Sequence, residues 1–178
     1  MQASIRRTGA LLVLALSAQA VPAAELFLMN VPGINGDVTL KNYTNWISVN
    51  SFSTGLSNSQ AGAATGRGGG RLLCQDMHIA KLLDVTSPSL LAAVATGHRY
   101  SKIELVALNT SAEVQYEFLR LTLQNVVISS VTFAGDNSAS ARVETFVLDP
   151  ERIEVTYTPQ LADGRLGTAV SALAECSN

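Results

Sequence analysis

The chain has 178 residues, of which 47% are hydrophobic and 15% charged, and its formal net charge is −2. This composition fits one domain with an apolar core and excludes an intrinsically disordered chain. The sequence has no run of Lys and Arg, so it lacks the positive stripe with which proteins bind a phosphate backbone. We therefore expect no nucleic-acid partner.

Residues 1–23 have the pattern of a secretory signal peptide. Arg6 and Arg7 give a basic start, an apolar run follows, and small residues precede cleavage after Ala20 or Ala23. A buried helix and an uncleaved anchor are the alternatives. The apolar run is too short to span a bilayer as a helix of the mature protein. We therefore expect an exported protein, periplasmic or secreted, without stable membrane insertion.

Two strands and a long loop are predicted next. Residues 25–31 are apolar and end in turn residues, and residues 46–53 are rich in β-branched and aromatic side chains. Residues 57–70 then read SNSQAGAATGRGGG. A glycine-rich loop that cradles phosphate should open a helix, whereas a strand follows this one. Loops of this length are usually functional or disordered.

A third strand and a single helix follow this loop. Alternating polarity predicts one strand over residues 71–79, with Leu73 on its apolar face. Ser87 can cap a helix, Pro88 suits its first position, and Gly97 provides a left-handed stop. We therefore predict one short helix in the middle of a chain of strands.

The later segments are strands again, and the longest of them contains a defect. Its apolar residues occupy even positions up to Phe118 and odd positions from Leu119. A regular strand cannot change faces in this way, so we predict a β-bulge or a sharp coil near these two residues. The later predicted strands cover residues 102–108, 113–131, 141–148 and 152–158.

The order of elements indicates the fold class. Strands joined by short turns, with one helix among them, fit an antiparallel β-barrel or sandwich better than a parallel sheet. We assign residues 24–160 to this domain and residues 161–178 to a C-terminal tail. A short helix is predicted near residues 169–175 of the tail.

The two cysteines, Cys74 and Cys176, both belong to the mature chain. An exported protein can keep a disulfide, and a pair would close a loop of about 100 residues. The alternative is one buried free thiol and one thiol in the tail. Neither cysteine is part of a CxxC pair, so no metal site is expected.

Motifs for catalysis are absent from the sequence. It contains no GxSxG elbow, and its two histidines lie within a predicted strand (His78) and directly after the helix (His98). We therefore expect no enzymatic activity, no catalytic residue and no cofactor. A Ser/His/Asp site assembled only by the fold stays open as an alternative.

Several stretches together resemble one protein family. Residues 46–57, 72–100, 123–131 and 153–160 are similar to strands and to the Ser-Pro-capped helix of the haemolysin-coregulated (Hcp) tube proteins of bacterial type VI secretion. The resemblance runs from about residue 25 to residue 160. The glycine-rich loop lies where that family carries an extended loop.

The resemblance implies a small closed antiparallel β-barrel with one α-helix on its side. It also implies a non-enzymatic subunit that forms homo-hexameric rings, which stack into a tube. A spike protein and effector cargo are further partners that it implies. In that family the loop contacts the next copy, and here it contains Ser59, Gln60, Gly62, Thr65, Arg67 and Gly69.

The predicted signal peptide departs from the family pattern. Family members that build the intracellular tube lack a cleavable signal, and a subunit exported alone could not be loaded inside a sheath. The alternative function is therefore an exported binding module, monomeric or oligomeric, on the same barrel.

Overall fold

A computed structural model describes residues 24–58, 72–110, 115–135 and 142–176. The predicted signal peptide lies outside the described residues. So do the six loop residues predicted to contact another copy.

The described chain is mainly β, with one helix in the middle as predicted. Its elements are β1 (Ala24–Asn30), β2 (Ile47–Val49), β3 (Ser51–Ser53), β4 (Leu56–Asn58), β5 (Leu72–Cys74), β6 (Met77–Leu82), α1 (Ser87–Thr96), β7 (Arg99–Thr110), β8 (Gln115–Gly135), β9 (Arg142–Asp149), β10 (Arg152–Tyr157) and β11 (Val170–Glu175).

Nine of these strands form one antiparallel sheet. Its main order is β2-β1-β7-β8-β9-β6-β3, and β10 and β11 are attached beside β8. The remaining strands, β4 and β5, pair with each other as a separate two-stranded sheet. The apolar core lies on the inner face of the large sheet, and it contains Leu105, Leu123 and Phe146, all fully buried.

The long strand β8 organises the sheet. It pairs with β7 along one edge, and two successive strands, β9 and β10, share its other edge. Residues 127–135 of β8 pair with β9, and residues 119–124 pair with β10. Only Pro150 and Glu151 separate β9 from β10. On their outer side, β6 pairs with β9 and β11 pairs with β10.

The bulge predicted in the longest strand is confirmed. Ala107 of β7 lies opposite Leu119, but Leu108 lies opposite Glu117, so Phe118 is the extra residue. This extra residue explains why the apolar positions change from even to odd. A second irregularity, between Ile128 and Ser130 on β8, was not predicted.

The helix predicted near residues 169–175 is wrong. These residues form β11, which pairs with β10 in a six-residue antiparallel register from Val170 opposite Tyr157 to Glu175 opposite Arg152. Ala, Leu and Glu favour helices in isolation, but a neighbouring strand with open hydrogen-bonding groups overrides that weak preference.

The single strand predicted over residues 71–79 is divided in the structure. Gln75 and Asp76 separate β5 from β6, and the alternation does not continue across them. Leu73, predicted on the apolar face, is 43% exposed, whereas Cys74 packs against the core. Within β6 the prediction is correct, because Met77 and Ile79 are fully buried.

The helix α1 packs Leu90 and Ala93 against the sheet. Gly97 ends it in the left-handed conformation, with φ of 61°, as predicted. Thr86, not Ser87, occupies the N-cap position and makes no side-chain capping bond. The Ser87 hydroxyl instead donates to Glu144 of β9, 2.9 Å away, so it fixes the start of the helix on the sheet.

The two ends of the main sheet are successive parts of one chain segment. β2 begins the strand order and β3 ends it, and only Asn50 lies between them. The Asn50 backbone N–H donates to the carbonyl of Ala80 in β6 over 2.8 Å. The order of hydrogen-bonded strands nevertheless runs from β2 to β3 without returning to β2, so the predicted closed barrel is not confirmed.

Candidate functional site

The base of the long loop is the first candidate for a functional surface. β4 and β5 enter and leave this loop, with Leu56 opposite Cys74 and Asn58 opposite Leu72. All three residues of β4 are exposed, and so is Leu73 of β5. The hairpin therefore presents backbone and apolar side chains to solvent.

Two hydrogen bonds connect this hairpin to the chain that leads into β6. The Gln75 backbone N–H donates to the Gly55 carbonyl over 2.8 Å, and the Thr54 hydroxyl donates to the Gln75 carbonyl over 3.3 Å. The hairpin is thus oriented from its base, next to the break between β5 and β6.

A disulfide joins the hairpin to the end of the chain. Cys74 ends β5 and Cys176 directly follows β11, and their Cα atoms are 5.2 Å apart. The Cys176 backbone N–H donates to the Glu151 carbonyl over 2.8 Å. Both predicted cysteines are therefore brought together at the point where β6 and β11 flank the β9–β10 junction.

The surface beside Cys176 is rich in paired charges. Arg99 contacts Glu151 at 2.8 Å, and Arg152 contacts Glu175 at 3.3 Å. All four side chains are about half exposed or more. Exposed pairs of this kind contribute little to stability, so we interpret them as a polar rim that keeps this end of the sheet hydrated.

A buried ion cluster lies beneath the start of α1. Lys81 of β6 and Glu144 of β9 are fully buried, with 2.5 Å between Nζ and Oε1. Lys81 also contacts Asp84 at 2.8 Å, and Asp84 accepts from the Thr86 backbone N–H. Burial alone would raise the pKa of Asp84, but the hydrogen bonds from Lys81 and Thr86 outweigh it and lower that pKa.

A second polar cluster lies on the other side of the sheet, under the segment that joins β1 to β2. The Tyr43 hydroxyl donates to Glu117 over 2.9 Å, and Arg120 bridges Glu117 and Glu104. Burial, followed by the hydrogen bond to Glu117, raises the pKa of Tyr43 to about 12. Both clusters hold secondary-structure elements together.

The exposed apolar side chains form the other candidate surface. Several of them belong to β10, β11 and the segment that joins these strands. Within the described residues β11 pairs only with β10, so the outer edge of β11 faces solvent. These side chains are Tyr157, Leu161, Leu166, Val170 and Leu173, each at least 45% exposed.

The sequence analysis did not predict this second surface, because the residues of β11 were predicted to form a helix. The signal that could have identified it is the alternating segment of residues 152–158, which needs a partner strand on each side. The first surface was predicted only in part. The two predicted cysteines lie together at its base, whereas the predicted loop residues Ser59–Gly69 lie outside the described residues.

The described ranges, 24–58, 72–110, 115–135 and 142–176, hold no cluster of three or more His, Cys, Asp or Glu side chains that could bind a metal ion. The helix in these ranges is not long and apolar enough to cross a membrane. His98 packs its ring against Tyr100, with 4.6 Å between centroids, on the helix side.

Comparison with known proteins gives a family match over most of the chain. The family model described as "Type VI secretion system effector, Hcp" matches residues 28–157. Protein hcp1 of Pseudomonas aeruginosa is 33% identical to the chain over 90 residues, which is 51% of this chain. That alignment covers 56% of the length of the Pseudomonas protein, so it spans little more than half of this relative.

Solved structures share the fold. One described as a type six secretion system protein has a TM-score of 0.76 and 21% identity, covering 83% of this chain and 92% of its own. Hcp1 from Salmonella typhimurium has a TM-score of 0.71 and 21% identity, covering 85% and 95%. The family match, which extends from β1 to the last residue of β10, decides the relationship. The chain belongs to the Hcp family of type VI secretion.

Proposed function

We propose that this protein is a non-enzymatic, self-assembling subunit of the Hcp type that forms homo-hexameric rings associated with type VI secretion. The observation that carries the proposal is the family match over residues 28–157, which includes the helix and every strand of the main sheet except β11 and the first residues of β1. Rings that stack into a tube are the arrangement that the resemblance implies.

The position of the segment that contains β2 and β3 supports this proposal. Residues 47–53 pair with β1 through β2 and with β6 through β3, so one short segment provides both ends of the strand order. We propose that this segment closes the sheet into the small barrel. A closed sheet removes most open edges and gives a subunit a rigid outer wall for packing against copies.

The exposed apolar residues support self-assembly. Val170 is 68% exposed and Leu173 is 58% exposed on a strand whose outer edge is open within the described chain. Edges and apolar side chains of this kind favour association unless a partner covers them. We propose that copies of the chain cover them in the ring.

The long loop has the second role in the proposal. Ser59, Gln60, Gly62, Thr65, Arg67 and Gly69 are proposed to contact the neighbouring subunit or ring. The β4–β5 hairpin and the Cys74–Cys176 disulfide support this, because they hold both ends of the loop at one point on the subunit. A spike protein and effector cargo are proposed as further partners.

The proposed location is outside the cytoplasm, periplasmic or secreted. The signal-peptide pattern of residues 1–23 and the presence of a disulfide both support it. We propose no catalytic residue and no cofactor.

The experiment is light scattering of the mature chain, residues 24–178, coupled to size-exclusion chromatography. We expect a species of six subunits, and a variant that lacks Ser59–Gly69 should keep the subunit fold by circular dichroism but form no stacked rings. A clean monomer at high concentration would contradict the ring proposal and would favour an exported binding module. Stacks that survive the deletion would contradict the role of the loop.

A further inference from the structure

The disulfide joins two elements that are otherwise held weakly. Five of the six residues of β11 are exposed to solvent, and only Ala174 is partly buried. β4 is exposed throughout, and β5 is at most partly buried. Within the described residues, β11 pairs only with β10, and β4 and β5 pair only with each other.

The two cysteines themselves connect these elements to the apolar core. Cys74 and Cys176 are partly buried and pack against the central core cluster. They are 102 residues apart in the sequence, so the bond closes a covalent loop that contains six of the nine strands of the main sheet, β6 to β11. Elements with few buried contacts are the first to open in a native protein, and a cross-link between two such elements opposes their opening.

The disulfide also lies where a thiol can reach it. Cys176 lines an open cavity of about 510 Å³ beside Arg99 and Glu175. Cys74 lines another open cavity of about 510 Å³ beside Gln75 and His78. Each cysteine therefore lines an open, solvent-accessible space, and access of this kind permits thiol–disulfide exchange.

We propose that the Cys74–Cys176 bond is an exchangeable redox cross-link that makes the docking of β11 and of the β4–β5 hairpin depend on oxidation. In the reduced chain these two elements separate from the sheet while the remaining strands stay folded. The consequence for assembly, which rests on the proposed function, is that rings form only after export to an oxidising compartment.

The oxidation is a thiol–disulfide exchange with a disulfide-bearing protein oxidant. The thiolate of one cysteine attacks a sulfur of that oxidant, forms a mixed disulfide and releases one oxidant thiolate. The thiolate of the second cysteine then attacks the sulfur of the first and releases the second oxidant thiolate. The chain loses two protons and two electrons, and the oxidant disulfide becomes a dithiol.

Hydrogen exchange of the mature chain tests the proposal, with dithiothreitol as the reductant. We expect exchange in residues 170–176 and 72–74 to become at least tenfold faster on reduction, with little change in β7. The variant Cys74→Ser/Cys176→Ser should show the same fast exchange without reductant, and dithiothreitol should not change it further. This variant is the matched control for effects of the reductant elsewhere.

Two exchange results would overturn the proposal. Unchanged exchange at β11 and β5 would mean that the strands dock without the bond. Equally faster exchange in β7 would mean that the bond stabilises the whole subunit and not these two elements.

The assembly consequence has its own readout, the mass by light scattering. We expect oxidised wild type to form rings and the double-serine variant to remain small, and rings of the variant would overturn this consequence. If the oxidised wild type is itself monomeric, the proposed function fails, while the exchange result still decides whether the bond controls docking.

Discussion

At the scale of single residues, the buried charges are the most consequential feature. Lys81 and Glu144 lie on adjacent strands with no exposed side-chain surface, and Ser87 at the start of α1 also bonds to Glu144. Burial of two charges is costly unless each is paired, so this cluster specifies where α1 docks more than it adds stability.

Substitution Lys81→Met should destabilise the protein strongly, because it leaves the Glu144 carboxylate buried without its cation. Removal of one member of a buried pair costs about 3–5 kcal/mol. Urea denaturation followed by circular dichroism measures the change. The matched control is Lys102→Met, which removes a half-exposed lysine from Glu104 and should cost less than about 1 kcal/mol. Equal costs for the two variants would contradict this account of the cluster.

Tyr43 should titrate with a pKa of about 12, because its phenol is partly buried and bonded to Glu117. An unfolded tyrosine has a pKa near 10, so the contribution of this group to stability is complete below about pH 10 and is lost as pH rises towards 12. Ultraviolet absorbance titration measures the phenolates. We expect the Tyr43→Phe variant to lose the phenolate transition near pH 12. A transition near pH 12 that persists in this variant would belong to another tyrosine and would contradict the prediction.

At the scale of elements, the segment that leads from β1 into β2 depends on a close backbone approach. The Gly36 backbone N–H donates to the Asn45 carbonyl over 2.8 Å. A Cβ atom on Gly36 would lie 2.1 Å from the backbone oxygen of Trp46. Only glycine permits this approach, which positions Tyr43 and Trp46 over the outer face of the sheet.

Substitution Gly36→Ala should cost about 1–3 kcal/mol, because backbone atoms on both sides must move. Gly55→Ala is the matched control: its Cβ would meet Gln75 Oε1 at 2.6 Å, and that flexible side chain can move away. We expect the control to cost less than about 1 kcal/mol. Midpoints of thermal or urea unfolding measure both variants, and an equal or larger effect of Gly55→Ala would contradict this interpretation.

The sequence was informative where a local pattern alone determines the structure. The change of apolar positions at Phe118 and Leu119 predicted the bulge, because one extra residue is the only simple way to keep both halves facing the core. Gly97 predicted the end of α1 for a similarly local reason.

The errors lie where a distant partner decides the structure. Residues 169–175 have helix-favouring composition, but β10 offers an open edge that turns them into β11. The alternation of residues 71–79 gave no sign of the break at Gln75, because the bond from Cys74 to Cys176 and the hairpin with β4 fix that conformation from outside the segment.

At the scale of the whole molecule, the disulfide and the sheet act together. A cross-link over 102 residues joins the end of β5 to the residue that follows β11. By lowering the entropy of the unfolded chain, such a bond would stabilise the folded protein by up to about 4–5 kcal/mol in an oxidising compartment. The central sheet and α1 give the subunit its family fold, and the hairpin and β11 supply the surfaces proposed to contact other copies.

Negative-stain electron microscopy of the oxidised mature chain tests the central claim most directly. The account predicts ring-shaped particles whose end-on class averages show six-fold symmetry, with stacks at high concentration. A field of single globular particles of about 16–17 kDa, the order expected for one mature chain of the 18.8 kDa precursor, would contradict it.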